Sequence, residues 1–324
     1  MQTDRRLVGT LEVAILLMLF GAVGCSSRSS ETSRGLRLDL DRKNPKSFIS
    51  YYFGGLASSE GTDPFAAGLV SEMSGDYFLD TTALYAAAGS SVKLRDENQD
   101  GTLDWDELSP FLEATYYSRR RMPVSFDSLD VHPDDKHWFE VTVDGVMTAA
   151  TRRIHVPLSS LRSALAQYKE MGNRLVYPLG TIMIANHVAN DRTVETTVMR
   201  KWGDGYWDFG VYDSTGSRIP ATTTPPKPLT VPTQCAGCHL GSRLYEPEKS
   251  FPGVARPGPE GPRAVHWPGP LPSPELVGYF DEHRKRSDGI LGLYGTLYVA
   301  RLQAKRDDGT ISDDDRKLLE SLGL

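Results

Sequence analysis

The sequence predicts an α+β chain, an antiparallel β-sheet domain preceded by a mainly helical region, and three observations carry that expectation. Short runs rich in β-branched and aromatic residues recur from His137 to Tyr212, with Asn190-Asp191 and Gly203-Asp204-Gly205 as breaks. Apolar clusters around Phe65 to Val70, Tyr77 to Ala88 and Leu108 to Tyr117 fill a region, residues 48 to 121, that reads mainly helical. Between Pro252 and Pro274, eight prolines in 23 residues exclude a regular helix and a central strand. A chain of 324 residues can bury a sizeable core without a disulfide framework, which suits its three cysteines. The 42 acidic side chains against 36 Lys and Arg leave a net charge of -6, so a general nucleic-acid binder, which presents a basic surface, is not expected.

The first segment, residues 1–24, reads as a signal. Arg5 and Arg6 precede a mostly apolar run from Val13 to Val23 that ends at Gly24 and is too short to cross a bilayer comfortably. Ala22-Val23-Gly24-Cys25 resembles a bacterial lipoprotein cleavage box, with Ala22 where Leu is more usual, and places a lipid on Cys25. Ordinary signal cleavage and a retained membrane helix are the competing readings. The preferred one puts the chain in the bacterial cell envelope, lipid-anchored and facing the periplasm or exterior. Residues 25–47 are rich in Ser, Arg, Lys and Asp without a sustained apolar period, and are expected to form a flexible tether.

Within residues 48–121 the stretch Asp96 to Glu107 fits the twelve-position EF-hand calcium loop. Asp96, Asn98 and Asp100 supply side-chain oxygens, Thr102 a carbonyl, Asp104 a water-mediated contact and Glu107 a bidentate carboxylate. Gly101 permits the sharp turn and Leu103 anchors the loop in a core. The bland alternative is an acidic surface turn, since Gly89-Ser90-Ser91 interrupts the incoming helix and Pro110 falls early in the outgoing one. Ala304 to Asp315 repeats part of the pattern, but Ala304 and Arg306 stand where oxygen donors belong, so an ordinary turn is expected there.

Residues 122–250 read as the sheet domain, with strands over His137 to Gly145, Thr181 to Val188, Val194 to Arg200 and Tyr206 to Tyr212, and a helix over Leu161 to Met171. Pro220 to Pro232 makes an extended connection into a cysteine cluster. Residues 251–274 wrap a surface, and residues 275–324 form two helices broken at Asp307-Asp308-Gly309.

Cys235-Ala236-Gly237-Cys238-His239 is the sharpest signal. Two thiols separated by two residues can form thioethers to haem vinyl groups, and the adjacent histidine can approach the iron from the proximal side. The competing readings are a redox dithiol and half of a zinc site. A second thiol pair for the latter is absent, and the proline-rich connector ahead of the motif is not the strand-to-helix turn of a thioredoxin-like dithiol. Covalent haem c, ligated through His239, is therefore expected. Met183, Met199, His187, His266 and Met171 are chemically possible sixth ligands, against a core-packing role for the two strand methionines.

Tyr177-Pro178-Leu179-Gly180-Thr181-Ile182-Met183-Ile184, then Val198-Met199-Arg200-Lys201, Trp207 to Asp213 and the terminal CAGCH motif follow one another in an order that resembles the cytochrome P460 family, including the β-sheet type of cytochrome c-prime. The resemblance covers roughly residues 135 to 245. It implies an antiparallel-sheet haem domain with His239 as proximal ligand and an exchangeable distal side. Known members oxidise hydroxylamine or bind nitric oxide, and the enzymes add a lysine cross-link to the porphyrin and an acidic distal residue. Lys169 and Lys201 precede and follow the relevant strands but are read as solvent-facing, and Glu195 as a surface carboxylate.

The expected function is redox chemistry at a c-type haem, electron transfer first, with a redox protein as partner. The alternatives are oxidation of hydroxylamine or a related nitrogen compound and binding of nitric oxide or carbon monoxide at an open iron. Whether the chain is an enzyme is left open by the sequence, and no catalytic residue is assigned.

Overall fold

The computed structural model describes residues 35–40, 45–58, 63–89, 92–134, 136–145, 148–172, 175–203, 206–224, 228–240, 264–266 and 289–324. The signal segment and Cys25 lie outside the described residues. Leu36, Leu38 and Leu40 alternate with Arg37 and Asp39, and this two-residue period produces a strand, β1 (Leu36–Leu38), rather than a continuation of the tether expected over residues 25–47. Helix α1 follows at Pro45–Ala57, where a first-position proline suits a helix start, and buries Phe48, Ile49, Tyr51, Tyr52 and Phe53.

The region expected to be mainly helical also carries a small sheet. Strands β2 (Val70–Met73) and β3 (Asp76–Leu79) form a hairpin whose turn needs left-handed backbone at Ser74 and Gly75. Asp80 then stops the strand and caps α2 (Thr81–Ala88) by accepting the Ala83 amide at 2.9 Å. The apolar run from Tyr77 to Ala88 is thus a strand and a helix joined at one capping residue. Two further residues, β4 (Thr102–Leu103), pair in parallel with β1 and complete the order β2-β3-β1-β4. Helix α3 (Trp105–Thr115) runs through Pro110.

The larger sheet has seven strands: β5 (Trp138–Gly145), β6 (Thr148–Pro157), β7 (Ile182–Ala189), β8 (Arg192–Gly203), β9 (Tyr206–Asp213), β10 (Arg218–Ile219) and β11 (Ala264–His266). Its order is β10-β9-β8-β7-β6-β5-β11, with every neighbouring pair antiparallel. Strand β6 had no counterpart in the sequence expectation. Its Thr151-Arg152-Arg153 core masks the alternation that Ile154, His155 and Val156 resume. Within the proline-rich segment, β11 is an edge strand, the one sheet position that nearby prolines allow.

Residues opposite one another in the ladder share a face. One face carries Met183, Met199 and Phe209 in a single row, with Ala185, Thr197 and Val211 in the next. This face meets α4 (Leu158–Ala166), α5 (Thr233–Leu240) and, through Phe139 against Tyr298, α6 (Gly289–Asp307), which packs with α7 (Asp313–Leu322) beside α4. One continuous core links Phe48 and Leu108 of the helical region to Trp207, Phe209, Leu161 and Tyr298. Among the described residues no helix is long and apolar enough to cross a membrane.

The degenerate loop before α7 has an ionic explanation. Asp315, at the closing position, accepts from Arg162 of α4 at 2.6 Å, and Arg162 also donates to the Tyr298 hydroxyl at 2.8 Å. An arginine from another helix supplies the positive charge, and Ser312 caps α7.

Candidate functional site

Cys235, Cys238 and His239 all lie on the eight-residue helix α5. Cys235 and His239 are half-buried, and the side chain of Cys238 lies outside the described residues. The His239 ring sits 5.3 Å from that of Phe209 at an interplanar angle of 35°, and its Nδ1 is buried. This brings the histidine to the sheet face that carries Met199 and Met183. A thiol pair three residues apart and a neighbouring half-buried imidazole are the donor set that a c-type haem requires.

The row beside His239 has two thioether-bearing side chains. Met183 is 3% exposed, and Met199, its ladder partner, is half-buried. Further along the same face, His187 lies opposite Glu195. His187 Nδ1 is 3.0 Å from Glu195 Oε1, while its Nε2 is 3.4 Å from Thr197 Oγ1. Met171 is exposed after α4, and the side chain of His266 lies outside the described residues.

Two expectations are overturned here. Glu195 is not a surface carboxylate; it is 0% exposed. It accepts from the Thr223 amide at 2.5 Å, the Thr223 hydroxyl at 2.8 Å and the Thr224 hydroxyl. Burial pushes this carboxyl up, but hydrogen bonds from His187, Thr224 and Thr223 outweigh it and bring it down to about 2. Its lone pairs hold the connector that leads into α5, and it stays ionised throughout the neutral range. Lys201 is likewise not solvent-facing: it is 5% exposed, with Nζ 5.5 Å from the Trp207 ring centroid, because β8 continues to Gly203 and carries it into the sheet. Lys169 is exposed, as read from the sequence.

Among the described residues the side of β9 ahead of Val211 has no strand partner, since β10 pairs only with Val211 and Tyr212. Tyrosine hydroxyls take the vacant ladder positions. Tyr116 accepts the Phe209 amide at 2.8 Å, Tyr117 donates to the Phe209 carbonyl at 3.1 Å, and Tyr51 donates to the Trp207 carbonyl at 2.9 Å. Beneath them Arg120 pairs with Asp208, donates to the Tyr51 carbonyl at 2.5 Å and lies against the rings of Tyr51, Tyr116 and Trp202. None of these partners has a local sequence signature beyond the adjacent tyrosines.

The stretch from Asp96 to Glu107 is a turn closed by its own side chains, and it follows non-helical chain after α2 rather than an incoming helix. Asp96 accepts from the amides of Asp100 at 3.1 Å and Gly101 at 2.8 Å, and Asn98 accepts the Asp100 amide at 3.0 Å. Gly101 takes φ 80°, where a side chain would be strained. Asp104 caps α3 by accepting the Glu107 amide at 3.0 Å, and Glu107 accepts from the amides of Glu97 at 2.7 Å and Asp104 at 3.1 Å. Asn98 also donates through Nδ2 to Asp100 at 3.0 Å, so the polar side chains at this end of the loop are bonded to one another and to backbone amides. Among the described residues no group of three or more His, Cys, Asp or Glu side chains is gathered closely enough to hold a metal as it stands. Comparison with protein-family models, with curated proteins and with solved structures returned no match.

Proposed function

We propose that this chain is an exported, lipid-anchored c-type haem protein of the bacterial envelope whose haem carries electrons to or from a redox partner. The observation that carries the reading is the CAGCH helix packed against the sheet face that holds Met183, Met199 and His187. Cys235 and Cys238 would hold the haem as thioethers and His239 would bind its iron. When bound, the haem supplies a one-electron couple. Met183 and Met199 offer soft donors close to Phe209. His187 offers an imidazole whose Nδ1 lies 3.0 Å from a buried carboxylate, and a neighbouring carboxylate commonly supports metal-bound histidines. A sixth ligand from the chain closes the iron to substrate and favours electron transfer.

The order of strand motifs that resembles the cytochrome P460 family supports the haem reading. The nitrogen-compound oxidation reading needs a group that moves protons near neutral pH. Glu195, with its acceptors engaged and its carboxyl drawn down to about 2, does not supply one. A calcium ion at Asp96, Asn98, Asp100, Thr102, Asp104 and Glu107 would fasten the start of α3, and a lipid on Cys25 would hold the protein at the membrane.

Optical spectra of the purified full chain, oxidised and reduced, with and without nitric oxide, test this reading after acid extraction has established covalent attachment. Haem that stays with the chain, reduces reversibly and meets nitric oxide only slowly is expected. Extractable haem refutes the attachment, and immediate nitric-oxide binding to ferrous iron refutes the six-coordinate carrier.

A further inference from the structure

The region ahead of the sheet domain reads in sequence as a separate module, yet its last helix touches both sides of the histidine site. Glu113, two residues before the end of α3, accepts from the Thr233 hydroxyl at 2.8 Å. Thr233 is buried and is the first residue of α5, the helix that carries Cys235, Cys238 and His239. One turn further along, Tyr116 and Tyr117 take the amide and the carbonyl of Phe209, the residue whose ring faces His239. Tyr117 and Cys235 are both half-buried against the common core.

We propose that Glu113, Tyr116 and Tyr117 are positioning residues for His239, so that the helical region forms the proximal wall of the haem site rather than an appended domain. The inference rests on the haem reading above. Two independent holds converge on one imidazole, a charge-assisted hydrogen bond at the start of its helix and a pair of hydroxyl bonds on the strand beneath its ring. Both start from one helical turn, so a shift in α3 moves the helix and the strand together. Outer-shell contacts of this kind set ligand orientation and thereby the electronic properties of the metal.

The test uses the full-length holoprotein and the variants Thr233→Val, Tyr117→Phe and their combination, with Thr233→Ser as the conservative control. Pyridine haemochrome analysis first establishes covalent haem in the wild type; its absence there refutes the haem reading and the positioning role with it. In haem-loaded protein, the double variant should change the one-electron reduction equilibrium by about tenfold, which is about 59 mV. It should also shift the hyperfine-displaced His239 ring resonances of the ferric form, Thr233→Val alone should give part of both changes, and Thr233→Ser alone should leave both at their wild-type values. Lower urea stability with wild-type potential and wild-type His239 resonances would overturn the proposal, leaving these contacts a structural role only. Equal loss of haem from Thr233→Val and Thr233→Ser would overturn it too, because the hydroxyl would then not be the operative group.

Discussion

Replacing Glu195 with Gln and following stability against pH separates a structural carboxylate from a proton carrier. The folded protein draws the group down from 4.5 to about 2, against the opposing push of burial, through His187, Thr224 and Thr223. A depressed carboxyl contributes stability that is complete above its unfolded value and is lost as pH falls through the folded one. The window therefore runs from about pH 4.5 down to about pH 2. At about 1.4 kcal/mol per unit, the shift corresponds to roughly 3 kcal/mol, an upper figure because the shell around the carboxylate is thin and solvent screening trims it. Glu195→Gln should cost about 2–3 kcal/mol at pH 7 and almost nothing at pH 2. Urea denaturation at fixed temperature, repeated across that range, measures it. Parallel acid limbs in wild type and variant would refute the assignment, as would a Glu195 carboxyl resonance titrating near neutrality, which would return Glu195 to candidacy as a proton carrier.

Other perturbations test the remaining contacts. Arg120 and Asp208 have side chains only 3% and 5% exposed, so Arg120→Met should cost about 3–5 kcal/mol by leaving a buried carboxylate alone, while adding Asp208→Asn should recover much of the loss in a double-mutant cycle. Burial already pushes the Asp208 carboxyl up against the pull of Arg120, so in Arg120→Met the group takes up a proton more readily and the deficit should shrink as pH falls toward about 4. Gly55→Ala would set a Cβ 2.6 Å from the Arg120 guanidinium carbon, and chemical denaturation should record a loss of about 1–3 kcal/mol. Calcium at a hundredfold excess over its dissociation constant should stabilise the chain by about 2.7 kcal/mol in calorimetry, and Asp96→Asn should abolish the gain; an unchanged melting temperature in the wild type would remove calcium from the proposal.

What was legible in the sequence was local. The strands β7, β8 and β9 followed from short runs rich in β-branched and aromatic residues between turn residues. Strand β1 was hidden because three alternating leucines are too few to stand out among charges; their partners, Tyr77 to Leu79 and Thr102 to Leu103, are distant in sequence. The exposure of Glu195 and Lys201 was misread for a related reason. In a strand, alternation assigns a side chain to a face, but the covering chain decides whether that face is wet. Glu195 became dry because Thr223 and Thr224 return across it, and Lys201 because β8 extends past it.

The same limit explains why the contacts around His239 had no signature. A carboxylate at Glu113 and a hydroxyl at Thr233 are separated by 120 positions, and each alone reads as an ordinary helix residue. Tyr116 and Tyr117 read as apolar bulk, yet their hydroxyls supply hydrogen bonds that β10 is too short to make at Phe209. A short strand thus creates a need for polar partners at one point of an edge, and that point lies under the histidine. Lengthening β10 to reach Phe209 would satisfy the same backbone groups but would release α3 from the sheet, so the hydroxyls couple the helical region to His239 in a way that a continued ladder would not.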